Sequence, residues 1–134
     1  MYNSITATLV KDNQRLAFLP KHLGSLMLKF EPLIFQILNN ICETYDGGYW
    51  HFYELSNGGF YMAPDMDDLL PIFIDLNGYE GKVSADAAGI IASMFALNYL
   101  CNESASDKII DQYYLLRDFA SCHSEANSIL QAID

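Results

Sequence analysis

Basic side chains are scarce in this chain: seven lysines and arginines stand against seventeen aspartates and glutamates, a formal charge of −10 at pH 7. A phosphate backbone attracts proteins through Lys and Arg, so direct nucleic-acid binding is not expected. The shortage is uneven. Residues 1–64 carry four basic and five acidic groups, whereas residues 65–134 carry three and twelve. An acidic half of this kind serves solubility, or faces a basic partner such as the DNA groove of another protein.

Cysteine is sparse too. Cys42, Cys101 and Cys122 are odd in number, widely spaced and form no CxxC, which reads as free thiols in a reducing compartment. His22, His51 and His123 are remote from one another and no H-E-x-x-H occurs, so no zinc pattern is completed. A calcium loop beginning at Asp65-Met66-Asp67-Asp68 fails at Leu70, where glycine is required, and at Leu76, where glutamate belongs. Gly47-Gly48 and Gly58-Gly59 are isolated pairs without a Walker or G-x-G-x-x-G pattern, and no cofactor is expected. The weakly polar stretch from Ala87 to Leu97 is too short to cross a bilayer, and Met1-Tyr2-Asn3-Ser4 opens no signal-peptide pattern. Together these absences predict a cytoplasmic protein with no membrane partner.

What is present is apolar: 51% of the 134 residues are hydrophobic, enough to build a core without disulfides or a metal. Ile5 to Val10 predicts a first strand, and Arg15 to Leu19 a second that Pro20 ends. Leu33/Ile34, Ile37/Leu38 and Ile41 recur at helical spacing behind Pro32, predicting a helix over 31–44, with a separate helical turn over 25–30. Tyr49–Glu54 and Phe60–Pro64, joined through Asn57-Gly58-Gly59, read as a central hairpin. Residues 65–75 predict a helical turn followed by a short strand, since Pro71 breaks any longer helix, and Asn77-Gly78 a turn.

Ser84 is a good N-cap for a buried helix over 85–101, rich in small residues that permit close approach. Ser106 or Asp107 starts a third helix with Ile109/Ile110, Tyr113, Leu116 and Ala120 inward. Ser121-Cys122-His123-Ser124 interrupts it before a last helical turn or two through Ile133. The expected fold class is α+β: a single compact domain, 1–134, with a small antiparallel sheet of N-terminal strands and central hairpin packed against three or four helices.

The long segment from Tyr45-Asp46-Gly47-Gly48-Tyr49-Trp50 to Phe60-Tyr61-Met62-Ala63-Pro64 resembles the ArdB/KlcA antirestriction family. Thr6–Val10, Arg15–Pro20, Asn77–Gly81, Ser84–Ile90 and Leu116–Ala120 with His123 and Glu125 extend the likeness over nearly the whole chain. The resemblance implies a protein of plasmids and other mobile genetic elements that relieves DNA cleavage by type I restriction-modification systems. It implies a non-enzymatic inhibitor acting on the restriction complex, or on a factor that acts on it, indirectly rather than as a DNA mimic.

Motif and hairpin exposure together nominate Asp46, Tyr49, Trp50, Tyr53, Asn57 and Tyr61 as an interaction surface. The DNA-mimic alternative would use Asp65, Asp67, Asp68, Asp107 and Asp111 against a basic groove. A third reading, a small hydrolase with an aromatic-lined pocket, needs carboxylates such as Asp67 and Glu54, or Ser56, to converge beneath a cleft. Ser56 lacks the first glycine of a G-x-S-x-G elbow. Oligomeric state is left open.

Overall fold

A computed structural model describes residues 4–104 and 106–134; Met1, Tyr2 and Asn3, where a signal peptide was sought, lie outside them. The elements are β1 (Ala7–Leu9), α1 (Arg15–Leu23), α2 (Met27–Ile41), β2 (Trp50–Leu55), β3 (Phe60–Pro64), β4 (Leu70–Ile74), β5 (Tyr79–Val83), α3 (Ala85–Ser104), α4 (Asp107–Cys122) and α5 (Ala126–Ile133), with short 3-10 turns at Asp12–Gln14 and Gly24–Leu26. The fold is α+β. A three-stranded antiparallel sheet in the order β1-β2-β3 and a two-stranded sheet β4-β5 pack against the helices. Among the described residues no helix is long and apolar enough to cross a membrane.

The β2–β3 hairpin pairs Phe52 with Met62 and Tyr53 with Tyr61. Its turn needs a positive φ, which Gly58 supplies at 94°. Asn57 fixes the turn from both ends of its amide: Oδ1 accepts the Gly59 N–H at 3.0 Å, and Nδ2 donates to the Leu115 carbonyl of α4 at 2.9 Å.

Among the described residues no further strand pairs with β3. α3 covers this edge instead. The Ser93 hydroxyl accepts from the Met62 N–H at 3.2 Å and donates to the Met62 carbonyl at 3.3 Å, supplying the bonds a neighbouring strand would give. Gly89, one turn earlier, lets the helix come this close: a Cβ there would sit 2.3 Å from the Met62 carbonyl oxygen. Residues Ala87 to Met94 are all buried, so this first half of α3 is surrounded by protein on every side and α3 is the central helix of the core. Ser84 caps it as expected, its hydroxyl accepting the Ala87 N–H at 3.1 Å.

Several expectations need correction. Arg15–Leu19 is not a strand but the start of α1, and Pro20 lies inside that helix. Proline removes the donor that would serve the carbonyl four residues back; Leu16, which owns that carbonyl, is at the surface, so the unpaired group is not sealed in the core. β1 therefore pairs with β2, Thr8 opposite Glu54, rather than with a returning N-terminal strand. α2 begins at Met27, which makes Pro32 internal to it. No helical turn forms over 65–69, while the strand at Leu70–Ile74 is present and includes Pro71. Its partner β5 was not foreseen. The Asn77-Gly78 turn joins the two, with φ of 75° at Gly78. On α4 the inward residues are Ile109, Gln112, Leu116 and Ala120; Ile110 faces out.

Candidate functional site

Alternation along β2 sends Trp50 and Phe52 to one face of the sheet and His51 and Tyr53 to the other. The first face is sealed. Phe52 stacks on Phe18 of α1 at 4.8 Å, and Phe60 meets Phe18, Phe30 and the His22 ring. Trp50 is 3% exposed, packs on Phe35 and donates its indole N–H to the Tyr45 hydroxyl at 2.8 Å. Trp50 is thus a core residue and is withdrawn from the expected contact surface.

On the second face the rings form a continuous ladder. Tyr49 meets His51 at 5.4 Å, His51 meets Tyr53 at 6.3 Å, and Tyr53 stacks on Tyr61 at 4.8 Å. Tyr61 then stacks on Phe119 of α4 at 5.6 Å, and Phe119 meets His123 at 6.0 Å. Exposure falls along this line: Tyr49 is 51% exposed, Tyr53 half-buried and Tyr61 1%. Tyr61 is therefore also withdrawn as a contact residue, because its ring is enclosed between Tyr53 and Phe119. Asn57 is half-buried and its amide is committed to the turn. Asp46 is exposed on the loop before β2.

Asp86, in the first turn of α3, holds the inner end of the ladder. Its Oδ1 accepts from the Tyr61 hydroxyl at 2.7 Å and its Oδ2 lies 2.8 Å from Nε2 of His123. The Glu125 N–H donates to Nδ1 of His123 at 3.0 Å, which places the imidazole proton on Nε2, directed at Asp86. Burial first, and then the bond to Asp86, push the Tyr61 phenol far above its ordinary value. The bond to Asp86 raises His123 despite burial. Protonating Nδ1 would forfeit the Glu125 N–H bond, which opposes that rise. Glu125 in turn accepts from the Ser84 N–H at 2.9 Å and the Ser84 hydroxyl at 2.5 Å. The hairpin, the start of α3 and the α4–α5 junction are thereby tied together.

Each histidine meets one carboxylate: His22 with Glu54 at 2.5 Å, His51 with Asp65 at 3.1 Å and His123 with Asp86. Among the described residues no group of three or more His, Cys, Asp or Glu side chains is placed to hold a metal.

The geometry does not bring the residues of the hydrolase reading together. Glu54 engages Lys21 with one oxygen and His22 with the other, so it is not paired with Asp67. Ser56 accepts the Thr6 N–H at the hairpin end. Both oxygens of Asp86 are already occupied.

Asp65, Asp67, Asp68, Asp107 and Asp111 are all exposed but fall into two groups. Asp65–Asp68 follow β3 at the open end of the hairpin, where the Asp65 N–H meets the Tyr49 carbonyl. Asp107 and Asp111 sit on the first turns of α4, whose Gln112 reaches Gly58 at the turn end. The length of a strand, roughly 15–20 Å, lies between the two ends of the hairpin.

Sequence reasoning missed Arg15, whose guanidinium lies 4.6 Å from the Tyr49 ring and 4.1 Å from that of Phe52 and donates to the Trp50 carbonyl. No local signal could have placed it there, because the segment was read as a strand. His51 was findable from its period-two spacing between Tyr49 and Tyr53.

Comparison with known proteins joins these features to a family. The profile described as "Antirestriction protein" matches residues 43–134. The chain belongs to the antirestriction protein family. Two Escherichia coli antirestriction proteins KlcA are 50% and 52% identical to it, each over 97% of this chain and 95% and 94% of their own lengths. A solved structure 48% identical superposes with a TM-score of 0.92, covering 100% of this chain and 98% of that one. That work describes a novel fold for the KlcA and ArdB proteins and antirestriction activity against type I DNA restriction systems in vivo but not in vitro. The match to the antirestriction family spans both the aromatic ladder and the α4–α5 junction that anchors it.

Proposed function

We infer that this protein, acting as one domain over residues 1–134, relieves DNA cleavage by type I restriction-modification systems in the cytoplasm as a non-enzymatic inhibitor. The observation that carries the reading is the near-complete superposition, TM-score 0.92 at 48% identity, on a structure described with that activity. The action is indirect, on the restriction complex or on a factor that acts on it. Activity of KlcA and ArdB in vivo but not in vitro supports this mode, since a direct competitor for DNA needs only its target to work.

The net charge of −10 favours the DNA-mimic alternative, while the division of the acidic candidates between two ends of the hairpin disfavours it. Asp46, Tyr49 and Tyr53 are the contact residues that stay accessible, with Arg15 holding Tyr49. Unmodified phage plated on matched strains with and without a type I system is the test. Expression of the protein should raise plating only on the restricting strain. Unchanged restriction with folded protein present would refute the function. Replacing Asp65, Asp67, Asp68, Asp107 and Asp111 by Asn should leave relief intact, and its loss at unchanged stability would instead establish mimicry.

A further inference from the structure

The fold leaves a trough between α2 and α3. α2 carries two adjoining apolar stripes: Phe30, Ile34 and Leu38 are fully buried, whereas Leu33, Ile37 and Ile41 are only half-buried. The second stripe, with Phe95 and Tyr99 of α3, lines a cavity of about 500 Å³ that the β4–β5 tip closes at Phe73 and Leu76. Apolar surface continues outside it, since Phe73, Leu76 and Tyr99 are 50%, 96% and 53% exposed. The spacing i, i+4, i+8 carries the stripe about 12 Å along α2. A trough between two packed helices, lined at helical spacing, receives a third helix as ridges into grooves.

Charge decides which helix. Asp75 is the charged side chain lining the trough, flanked by the amides of Asn40, Asn98 and Asn102. Glu43 and Glu80 line the adjoining cavity, which shares Ile41 and Phe73 and contains one base, Lys82. At the opposite end Lys29 is neutralised by Glu103 at 2.9 Å. A second copy of this chain would bring a further −10 to an acidic rim and be repelled.

We propose that the α2–α3 trough docks an amphipathic helix of a partner protein, about three turns long, with apolar anchors facing Ile37 and Phe95 and Lys or Arg side chains flanking them. The anchors fill the cavity and cover Phe73 and Tyr99. The basic flanks meet Asp75, Glu43 and Glu80. This goes beyond the antirestriction reading, and binding is measured without reference to it.

The probe is a blocked model peptide of about 18 residues with Leu at i, i+3, i+4 and i+7 and Lys elsewhere, titrated into the isotope-labelled full chain by NMR. Saturable shifts confined to α2, α3 and the β4–β5 tip are expected, and exchanging the peptide's Lys for Glu should weaken binding at least about tenfold. Changing the exposed Phe73 and Tyr99 together to Ser should weaken it by a similar factor without lowering Tm. Neutralising Asp65, Asp67 and Asp68 should leave it unchanged. Shifts spread over the acidic surface, or binding lost on that neutralisation and retained in the Ser variant, would overturn the proposal as general charge attraction. Equal binding of the Glu peptide would overturn the basic partner. Sedimentation showing a dimer that the Ser variant dissociates would give the trough to a second copy and overturn it as well.

Discussion

Gly89→Ala is a change that helix propensity and packing judge in opposite directions. Propensity alone favours alanine within a helix by about 1 kcal/mol. The added Cβ, however, would lie 2.3 Å from the Met62 carbonyl oxygen and 2.4 Å from the Ala63 Cα, more than about 1 Å inside a contact distance near 3.5 Å. The obstacle is strand backbone paired to β2, so α3 must lift instead. Lifting lengthens the Ser93 bonds to Met62, now 3.2 and 3.3 Å, past hydrogen-bonding range and leaves a buried N–H and C=O unpartnered. Overpacking costs about 1–3 kcal/mol and the orphaned backbone groups about 1–3 kcal/mol. Less the propensity gain, the net destabilisation is about 1–5 kcal/mol, a fall in Tm on the order of 10 °C at the middle of that range.

Urea unfolding followed by the fluorescence of Trp50, the chain's one tryptophan and a buried one, measures it. Ser93→Ala should by itself cost about 1–3 kcal/mol, and the double variant less than the sum of the two, because the lifted helix has already broken the same bonds. A Gly89→Ala protein as stable as the parent would refute the account of α3 as the cover of the β3 edge.

Trp50→Ala should cost about 3–5 kcal/mol through the cavity it leaves, whereas Tyr49→Ala at the exposed end of the ladder should change stability by no more than about 1 kcal/mol, its Arg15 contact included. Parallel thermal melts and plating assays separate the two, since Tyr49→Ala should lower restriction relief in a folded protein if the accessible end makes the contact. Acidification should weaken the fold through the α1–β2 contact. Burial holds His22 below its ordinary 6.5; Glu54, although burial raises it, is held below its ordinary 4.5 by Lys21 and His22. Both groups contribute stability that is present above the unfolded values and lost as pH falls through the folded ones, beginning near 6.5 with His22. His123 is raised, so its contribution has the opposite sign, present below 6.5 and lost as pH rises through its folded value. Subtracting the stability-versus-pH curve of His22→Gln from the parent's should therefore isolate a component that declines below pH 6.5, with Lys21 and Lys108 nearby left unchanged. A flat difference would remove His22 from the account.

The central hairpin and α3 were legible because each is written locally. Asn57-Gly58 specifies a reversal wherever it is placed between alternating rings, and Ser84 followed by a run of small and apolar residues specifies a capped, enclosed helix. β5 had no such signal. Tyr79-Glu80-Gly81-Lys82-Val83 is polar and half-exposed, and it is a strand because β4 pairs with it. α1 was misread because Arg15–Leu19 is short and precedes a proline, and its helical state follows from Phe18, Leu19, His22 and Leu23 being buried against the sheet. Part of the site was hidden for the same reason. Arg15 lies 35 residues from the Trp50 carbonyl it binds, and His123 lies 37 from Asp86.

The sequence by itself determined the charge, the family likeness, the hairpin and the central helix, since these depend on composition or on neighbours along the chain. Which rings of the aromatic segment face out was decided only by the tertiary structure. Period two divides Trp50 from Tyr49 and Tyr53, but it does not say which face α1 and α2 will cover, nor that Phe119 will close over Tyr61. Burial belongs to what packs on a strand from elsewhere in the chain, and that is absent from the strand's own pattern.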